Sequence, residues 1–181
     1  MRRSWIVAIV VLAMAGIAAG CGGDDESDAD PTAAWASGFC SAVTDWTNEL
    51  QTITSQFSDT SNLSQDGLES AAGDLRDATD TLVSDIEDLG APDTDSGEEV
   101  KSSLDTLSTT LQDETSEIED TAQGVSSVAD LPSAISTISA SLASLGNAFS
   151  QTLQTIDDAD VDGELRTALE DSPECADIRS S

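Results

Sequence analysis

Apolar residues recur at steps of three and four along four long segments of the chain. Such steps place the apolar side chains on one stripe of a helix that packs beside others. The third segment has one weak layer, at Glu114 or Thr115, and no segment shows the sustained alternation typical of a strand. The four stripes are Trp35, Phe39, Val43, Trp46, Leu50, Ile53 and Phe57; Leu68, Ala72, Leu75, Thr79, Leu82, Ile86 and Leu89; Val100, Leu104, Leu107, Leu111, Ile118 and Ala122; and Ile135, Ile138, Leu142, Leu145, Phe149, Leu153 and Ile156.

Local residue types predict where these helices begin. The stretch Ser96-Gly-Glu-Glu99 fits a capping box that opens the third helix, and Asp95 with Glu98 would serve as well. Asp130 is placed to cap the fourth helix, because Pro132 then falls in the first turn, where proline is tolerated.

The ends of the helices are marked by glycine and proline. Gly90 and Pro92 end the second helix, and Gly124 ends the third. Residues 157–163 break the pattern, and a short fifth helix, residues 164–171, follows. Long helices joined by short links pack as antiparallel neighbours. We therefore predict an all-α fold, an antiparallel up-down bundle of four long helices with a short C-terminal helix.

The N-terminal segment has the layout of a secretory signal peptide. Arg2 and Arg3 precede an apolar run, residues 5–17, which is followed by Ala18-Ala19-Gly20. The apolar run is short for a membrane span, which needs about 20 residues.

The cysteine after this run carries a family resemblance. Ala18-Ala19-Gly20-Cys21 resembles the lipobox of bacterial lipoproteins, although that family prefers leucine at the position of Ala18. The resemblance implies that the thiol of Cys21 receives a diacylglyceryl group and that the chain is cut before it. A plain signal peptide cut near Ala19 or Gly20, or a retained membrane anchor, is the alternative.

These features divide the chain into three parts. Residues 1–20 are the lipoprotein signal peptide, residues 21–31 an acidic, glycine-rich flexible tether, and residues 32–181 the helical domain. The predicted location is the outer face of the cytoplasmic membrane, with the lipid on Cys21 as the contact with the membrane.

The remaining two cysteines are Cys40 and Cys175. An even pair in an exported protein is usually oxidised, so we predict a disulfide between the first helix and the C-terminal end. It would close a loop of about 135 residues and contribute on the order of 4 to 5 kcal/mol by loop-closure entropy. Two separate buried thiols are the alternative.

The charge of the chain limits its partners. There are 36 acidic and 6 basic residues, and the formal net charge is −30, which the loss of Arg2 and Arg3 with the signal would bring to −32. Nucleic acid is excluded as a partner, because phosphate binding needs a basic surface. A basic protein or divalent cations are the partners that such a field would attract.

The composition also argues against catalysis. The chain has no histidine and no tyrosine, so it lacks the commonest general base and the commonest transition-metal ligand. No carboxylate pair stands out among 36 acids. We predict a protein that is not an enzyme and that needs no cofactor, with calcium as the one cofactor to consider.

The candidate calcium loop is Asp158-Ala-Asp160-Val-Asp162-Gly163. Three carboxylates at alternate positions followed by glycine resemble an EF-hand loop. The last EF-hand ligand would fall on Leu169, and Glu170, one residue later, is the substitute. An acidic linker between helices is the alternative interpretation.

Two further features have a functional and a structural interpretation. Trp35, Phe39, Trp46 and Phe57 lie on the first helix, where they could form a ligand groove or fill the core, and their spacing favours the core. Acidic faces, such as those at residues 77–80 and 114–120, could bind a basic partner or face solvent, and solvent is favoured.

The whole layout resembles the uncharacterised secreted lipoproteins of high-GC Gram-positive bacteria, a group that offers no catalytic residues to transfer. The resemblance implies a lipid-anchored, extracytoplasmic helical protein of the cell envelope. We predict that it acts as a binding or interaction module. The alternative is a calcium-responsive envelope domain that uses the Asp158–Gly163 loop.

Overall fold

The computed structural model describes residues 30–56 and 64–176, and these are almost entirely helical. The predicted signal peptide, Cys21, most of the predicted tether and Phe57 lie outside the described residues. No strand occurs in the two described ranges. The helices are α1 (Pro31–Gln56), α2 (Gln65–Leu89), α3 (Gly97–Gln123), α4 (Leu131–Ala159) and α5 (Glu164–Asp171), followed by a 3₁₀ turn (Pro173–Cys175).

The four long helices form the predicted bundle, and each packs against the next one along the chain. The neighbouring pairs are α1 with α2, α2 with α3, and α3 with α4, while α5 and the 3₁₀ turn pack on α1. The backbones of α1 and α4, at the two ends of this series, do not pack closely. The bundle is therefore open along the edge between α1 and α4.

The predicted stripes of α1, α2 and α3 form the core. Almost all of their large side chains in the described residues are buried, with Leu50 and Leu89 partly buried at the margin. At the weak layer of α3 the bundle buries Thr115, which is 2% exposed, rather than Glu114. A threonine can be buried at low cost when its hydroxyl is hydrogen-bonded, whereas a carboxylate cannot.

The predicted stripe of α4 is only half correct. Leu145 and Ile156 are buried, but Ile135, Leu142 and Leu153 are 42%, 43% and 38% exposed. Because α4 has one close neighbour, α3, one stripe of α4 suffices for that contact. That stripe consists mostly of small side chains, and the larger apolar residues lie beside it, towards the open edge. The residues buried on α4 are Ala134, Ser141, Leu145, Thr152 and Ile156.

A hydrogen-bonded group inside the core joins three helices. The indole N–H of Trp46 on α1 donates to the hydroxyl oxygen of Thr79 on α2, at 3.3 Å. The hydroxyl of Thr115 on α3 donates to the same oxygen, at 3.4 Å. Both bonds are buried, and buried polar groups need specific partners. This group therefore fixes the register of α1, α2 and α3.

The N-terminal end of α1 is bonded to the link between α2 and α3. The hydroxyl of Thr32 donates to the carbonyl of Asp93 at 3.1 Å, and the indole N–H of Trp35 donates to the carbonyl of Gly90 at 3.0 Å. Gly90 ends α2 at φ +64°, a left-handed conformation that favours glycine. These bonds set the direction in which the chain leaves α2.

The two predicted helix caps are wrong in their chemistry, although α3 and α4 begin where expected. Neither Ser96 nor Asp130 caps its helix through the side chain. Ser96 has φ −92° and ψ 3°, and Asp130 has φ −83° and ψ −21°, while capping needs extended backbone. Sequence analysis missed Ser64, which is extended and accepts a hydrogen bond from the backbone N–H of Gly67.

Asp130 instead stabilises the link that precedes α4. Its carboxylate accepts hydrogen bonds from the hydroxyls of Ser127 and Ser126. These bonds hold the pKa of Asp130 below its ordinary value. A depressed pKa in the folded chain means that the contact stabilises the fold at neutral pH and that its contribution is lost as the pH falls through that pKa.

The predicted disulfide is present. Cys40 of α1 and Cys175 of the 3₁₀ turn are bonded, with their Cα atoms 5.0 Å apart and a separation of 135 positions in sequence. Both residues are buried. The bond holds the C-terminal end of the described chain against α1.

Removing the disulfide should destabilise the bundle strongly. We expect the double substitution Cys40→Ala with Cys175→Ala to lower the free energy of unfolding by about 2–5 kcal/mol, because the unfolded chain regains the entropy of a long loop. Urea unfolding followed by far-UV circular dichroism measures this. A double variant as stable as the wild type would contradict a stabilising role for the bond.

Removing the shared acceptor in the core should also be costly. We expect Thr79→Val to lower the free energy of unfolding by about 1–3 kcal/mol, because it leaves the indole N–H of Trp46 buried without a partner. The control is Thr81→Val, an exposed threonine two positions away on the same helix, with an expected change within about 0.5 kcal/mol. Equal changes in the free energy of unfolding of the two variants would contradict the role of the Trp46–Thr79–Thr115 hydrogen bonds in fixing the register.

Candidate functional site

The turn between α4 and α5 contains the candidate calcium loop. α4 continues to Ala159, so the break in the helical pattern is shorter than predicted, and Asp158 belongs to the last turn of α4. Asp160 follows as the C-terminal cap of α4, and Gly163 has φ +74° before α5 begins. Gly163 allows this left-handed turn without strain.

The buried member of the loop is Asp160, which is 5% exposed. Its carboxylate oxygens accept hydrogen bonds from the backbone N–H groups of Leu165, at 3.2 Å, and Arg166, at 2.7 Å. The first N–H groups of a helix lack partners inside the helix, and the positive end of the helix dipole favours a negative charge there. Asp160 therefore caps α5, a role that sequence analysis did not assign to it.

The other predicted ligands are distributed over three elements. Asp158 is exposed at the end of α4, Asp162 is exposed in the turn, and Glu170 is exposed on α5. Residues 30–56 and 64–176 contain no group of three or more acidic, cysteine or histidine side chains placed to hold a metal ion. Calcium binding at Asp158, Asp160, Asp162 and Glu170 stays a prediction, and Asp160 has a structural role without it.

A salt bridge holds the two helices of this turn together. The guanidinium Nε of Arg166 on α5 lies 2.8 Å from Oδ1 of Asp157 on α4. Both side chains are about half exposed, so the pair contributes at most about 1 kcal/mol. The orientation of α5 therefore depends mainly on the Asp160 cap and on burial of Leu165, which is 0% exposed.

The open edge of the bundle forms an apolar groove between α1 and α4. Two cavities of about 230 and 220 Å³ lie along this groove. The stacked rings of Trp46 and Phe149, with centroids 6.3 Å apart, lie between them along the helices. The first cavity also reaches α5 and is lined by Phe39, Phe149, Leu153, Ile156 and Leu169, by Cys40 and Cys175, and by the charged residues Asp157, Asp160, Arg166 and Glu170. The second reaches between all four long helices and is lined mainly by Leu50 and Ile53 of α1, Leu68, Ala71, Ala72 and Leu75 of α2, Ile118 of α3, and Ile135, Ile138 and Leu142 of α4.

The aromatic residues of α1 belong mainly to the core. Trp35, Phe39 and Trp46 are buried, and the rings of Trp35 and Phe39 stack at 5.3 Å. Phe39 also lines the first cavity, so the core and the groove share one wall. The groove was not predicted, although the sequence has no charged residue in α4 from Leu131 to Ile156.

A second groove, between α1 and α2, is acidic. It encloses about 400 Å³, and the lining includes five carboxylates. No lysine or arginine is among its described lining residues. The carboxylates are Asp45, Glu49, Asp74, Asp77 and Asp85.

Part of the predicted acidic faces is engaged in ion pairs. Arg76 of α2 pairs with Glu119 of α3 and with Asp80 on its own helix. The Glu119 pair crosses between helices, so this part of the acidic surface has a structural partner. Binding of a basic protein by the rest of the acidic surface stays a prediction.

No protein-family model, curated protein or solved structure matches this chain. None of the helices that the structure describes combines the length and the apolar character required to cross a membrane.

The two interpretations of Asp160 predict different effects of calcium. If Asp160 is a helix cap, Asp160→Ala should lower the free energy of unfolding by about 1–2 kcal/mol, equally in EDTA and in calcium at matched ionic strength. The control, Asp158→Ala, removes an exposed carboxylate and should change it by no more than about 0.5 kcal/mol.

The calcium interpretation predicts a different pattern. A specific site filled at 100 times its dissociation constant would add about 2.7 kcal/mol to the wild type. Both Asp160→Ala and Asp158→Ala would then lose that gain, whereas magnesium would not produce it. Urea unfolding in EDTA, magnesium and calcium distinguishes the two patterns.

Proposed function

We propose that this protein is a lipid-anchored, non-enzymatic binding module at the outer face of the cytoplasmic membrane. The observation that carries the proposal is the pairing of the cysteines. The chain has three, and the bond between Cys40 and Cys175 leaves Cys21 as the remaining thiol, at the lipobox-like position. A structural disulfide also fits an oxidising location outside the cytoplasm.

The position of the tether supports the same proposal. The tether runs directly into α1, whose first residue is Pro31. From Cys21 to Asp30 it could span at most about 35 Å. At the same end of α1, Thr32 is bonded to the α2–α3 link and Cys40 to the C-terminal turn. An anchor on Cys21 would thus hold the most strongly bonded end of the bundle near the membrane.

The chemical inventory supports binding rather than catalysis. The chain has no histidine, and the buried polar groups Thr79 and Asp160 hold the helices in place. The bundle has two grooves that another molecule could enter, an acidic groove between α1 and α2 and an apolar groove between α1 and α4. The acidic groove would suit a basic protein, whose approach the field of the chain would accelerate.

The proposal predicts that lipid is attached through Cys21. In cells that express the full chain and are fed radiolabelled palmitate, we expect the wild type to be labelled and to remain in the membrane fraction. Cys21→Ser should lose the label, because a hydroxyl does not form the thioether. The control is the double substitution Cys40→Ala with Cys175→Ala, which should keep the label.

An unlabelled wild type, or label that persists in Cys21→Ser, would contradict the anchor. Mass spectrometry of the N-terminal peptide provides a second readout. It should show a mature chain that begins at residue 21 and carries a diacylglyceryl group.

A further inference from the structure

Three large apolar residues on one side of α4 stay exposed within the described parts of the chain. Ile135, Leu142 and Leu153 are each about two-fifths exposed, and Phe149, on the same side of the helix, is partly buried. Ile135 and Leu153 are 18 positions apart, which corresponds to about 27 Å along the helix. An apolar strip of this length is more than the scattered apolar residues of an ordinary surface.

The groove beside this stripe is open to a further helix. The two cavities lie along it, the first reaching α5 and the second reaching α2 and α3, so side chains from outside could enter on either side of the Trp46–Phe149 stack. Gly146 also lies on this side of α4, and a Cβ atom added there would meet nothing within 4 Å. Space for a close neighbour is therefore available at the middle of the helix.

Charge is absent from the α4 part of this side, and the charged residues of the groove, Asp157, Asp160, Arg166 and Glu170, line the first cavity at the end near α5. α4 carries no charged residue from Leu131 to Ile156. The two acids of α1, Asp45 and Glu49, line the groove that faces α2. By contrast, α2 and α3 carry eight acids each and one base each. The acids of the long helices thus lie mainly on the side away from the α1–α4 groove.

We propose that the α1–α4 groove binds a second copy of this chain. Chains with a net charge of −30 repel one another, and the uncharged part of α4, from Leu131 to Ile156, is where two copies can approach at the lowest electrostatic cost. A basic partner would be drawn to the acidic side instead. Burial of two apolar stripes against each other supplies the driving force.

The spacing on α4 suits pairing with an identical helix. Ile135, Leu142 and Phe149 recur every seven positions, with Ser139 and Gly146 between them. Large residues at heptad spacing form a seam between parallel helices, and a two-fold axis places the same patch on both copies. The small residues between them leave room for the partner's side chains.

The parallel orientation rests on the proposed lipid anchor. Two anchored chains whose bundles stand upright on one membrane have their α1 N-termini at the same end, which a two-fold axis along the bundle provides. An antiparallel pair would place those ends about 39 Å apart, the length of α1. The association itself does not depend on the anchor, so the two proposals fail separately.

The first experiment measures the association of the full-length chain in a neutral detergent by sedimentation equilibrium. We expect a dimer that Leu142→Asp weakens at least about thirtyfold, the effect of losing a central interface residue. Ser139→Asp should weaken it as well, and because Ser139 is exposed in the monomer, its fold should be kept. The control is Ala140→Asp, an exposed position about 200° round the helix from Leu142, which should leave the dimer unchanged.

Salt distinguishes this dimer from binding to a basic protein. Raising the ionic strength from 0.1 to 1 M shortens the Debye length from about 10 to 3 Å, so repulsion between two acidic chains falls and the dimer should tighten. A complex with a basic protein would weaken under the same change.

The second experiment tests the orientation in intact cells. A short bifunctional maleimide should link two copies of Leu153→Cys, because a parallel pair brings position 153 close to its equivalent, and it should not link Ala140→Cys. A second variant combines Leu153→Cys with Cys21→Ser, which removes the anchor. If this variant loses the crosslink in cells but still forms the dimer in detergent, the anchor sets the orientation of the pair.

Three results would overturn the second copy as the occupant. The wild type could sediment as a monomer over the whole accessible concentration range. Ser139→Asp and Ala140→Asp could change the association equally, with circular dichroism showing both variants folded. Leu153→Cys could crosslink to a protein of another mass and not to itself.

Discussion

Apolar contact between the stripes of α1, α2 and α3 holds together a chain that its own charge drives apart. The chain has 36 acids against 6 bases, and the eight acids on each of α2 and α3 make these two helices repel one another. The stripes offset this repulsion, because they bury large apolar side chains such as Leu82, Leu104 and Leu111 almost completely. Each fully buried leucine contributes about 1.5–3 kcal/mol, whereas exposed ion pairs contribute at most about 1 kcal/mol.

Apolar contact alone does not fix one arrangement, since stripes at heptad spacing can slide by a turn. The polar group at the centre of the core removes that freedom. Thr79 accepts hydrogen bonds from Trp46 and Thr115, and a shift of any of the three helices would bury a polar group without its partner. Thr115, the weak layer in the apolar pattern, is thus a position where hydrogen bonding replaces apolar packing.

The bundle is bonded more strongly at one end than along its open edge. The disulfide, the bonds from α1 to the α2–α3 link, and the Asp160 cap all lie towards the N-terminal end of α1. Along the open edge, α4 is held by α3 and by the stacking of Phe149 on Trp46. This contrast separates an end held by a disulfide and several hydrogen bonds from an edge with fewer contacts.

The sequence by itself determined the number, type and approximate bounds of the helices. Spacing of apolar residues, together with glycine and proline at the helix ends, is a local property, and Gly90 and Gly124 fall where α2 and α3 end. The disulfide was predictable for a different reason: once Cys21 is set aside, two cysteines can pair in one way only.

Only the tertiary structure decided which side of α4 is buried and what Asp160 does. Two neighbouring stripes of α4 have the helical spacing of a core face. Which of them is buried depends on whether α1 packs closely against α4, and that is decided by how all four helices pack together. In the same way, the sequence of an Asp-rich loop does not determine whether its carboxylates bind a cation or accept hydrogen bonds from the N–H groups of the next helix. Ser96 and Asp130 failed as caps because capping depends on backbone angles that the surrounding links impose.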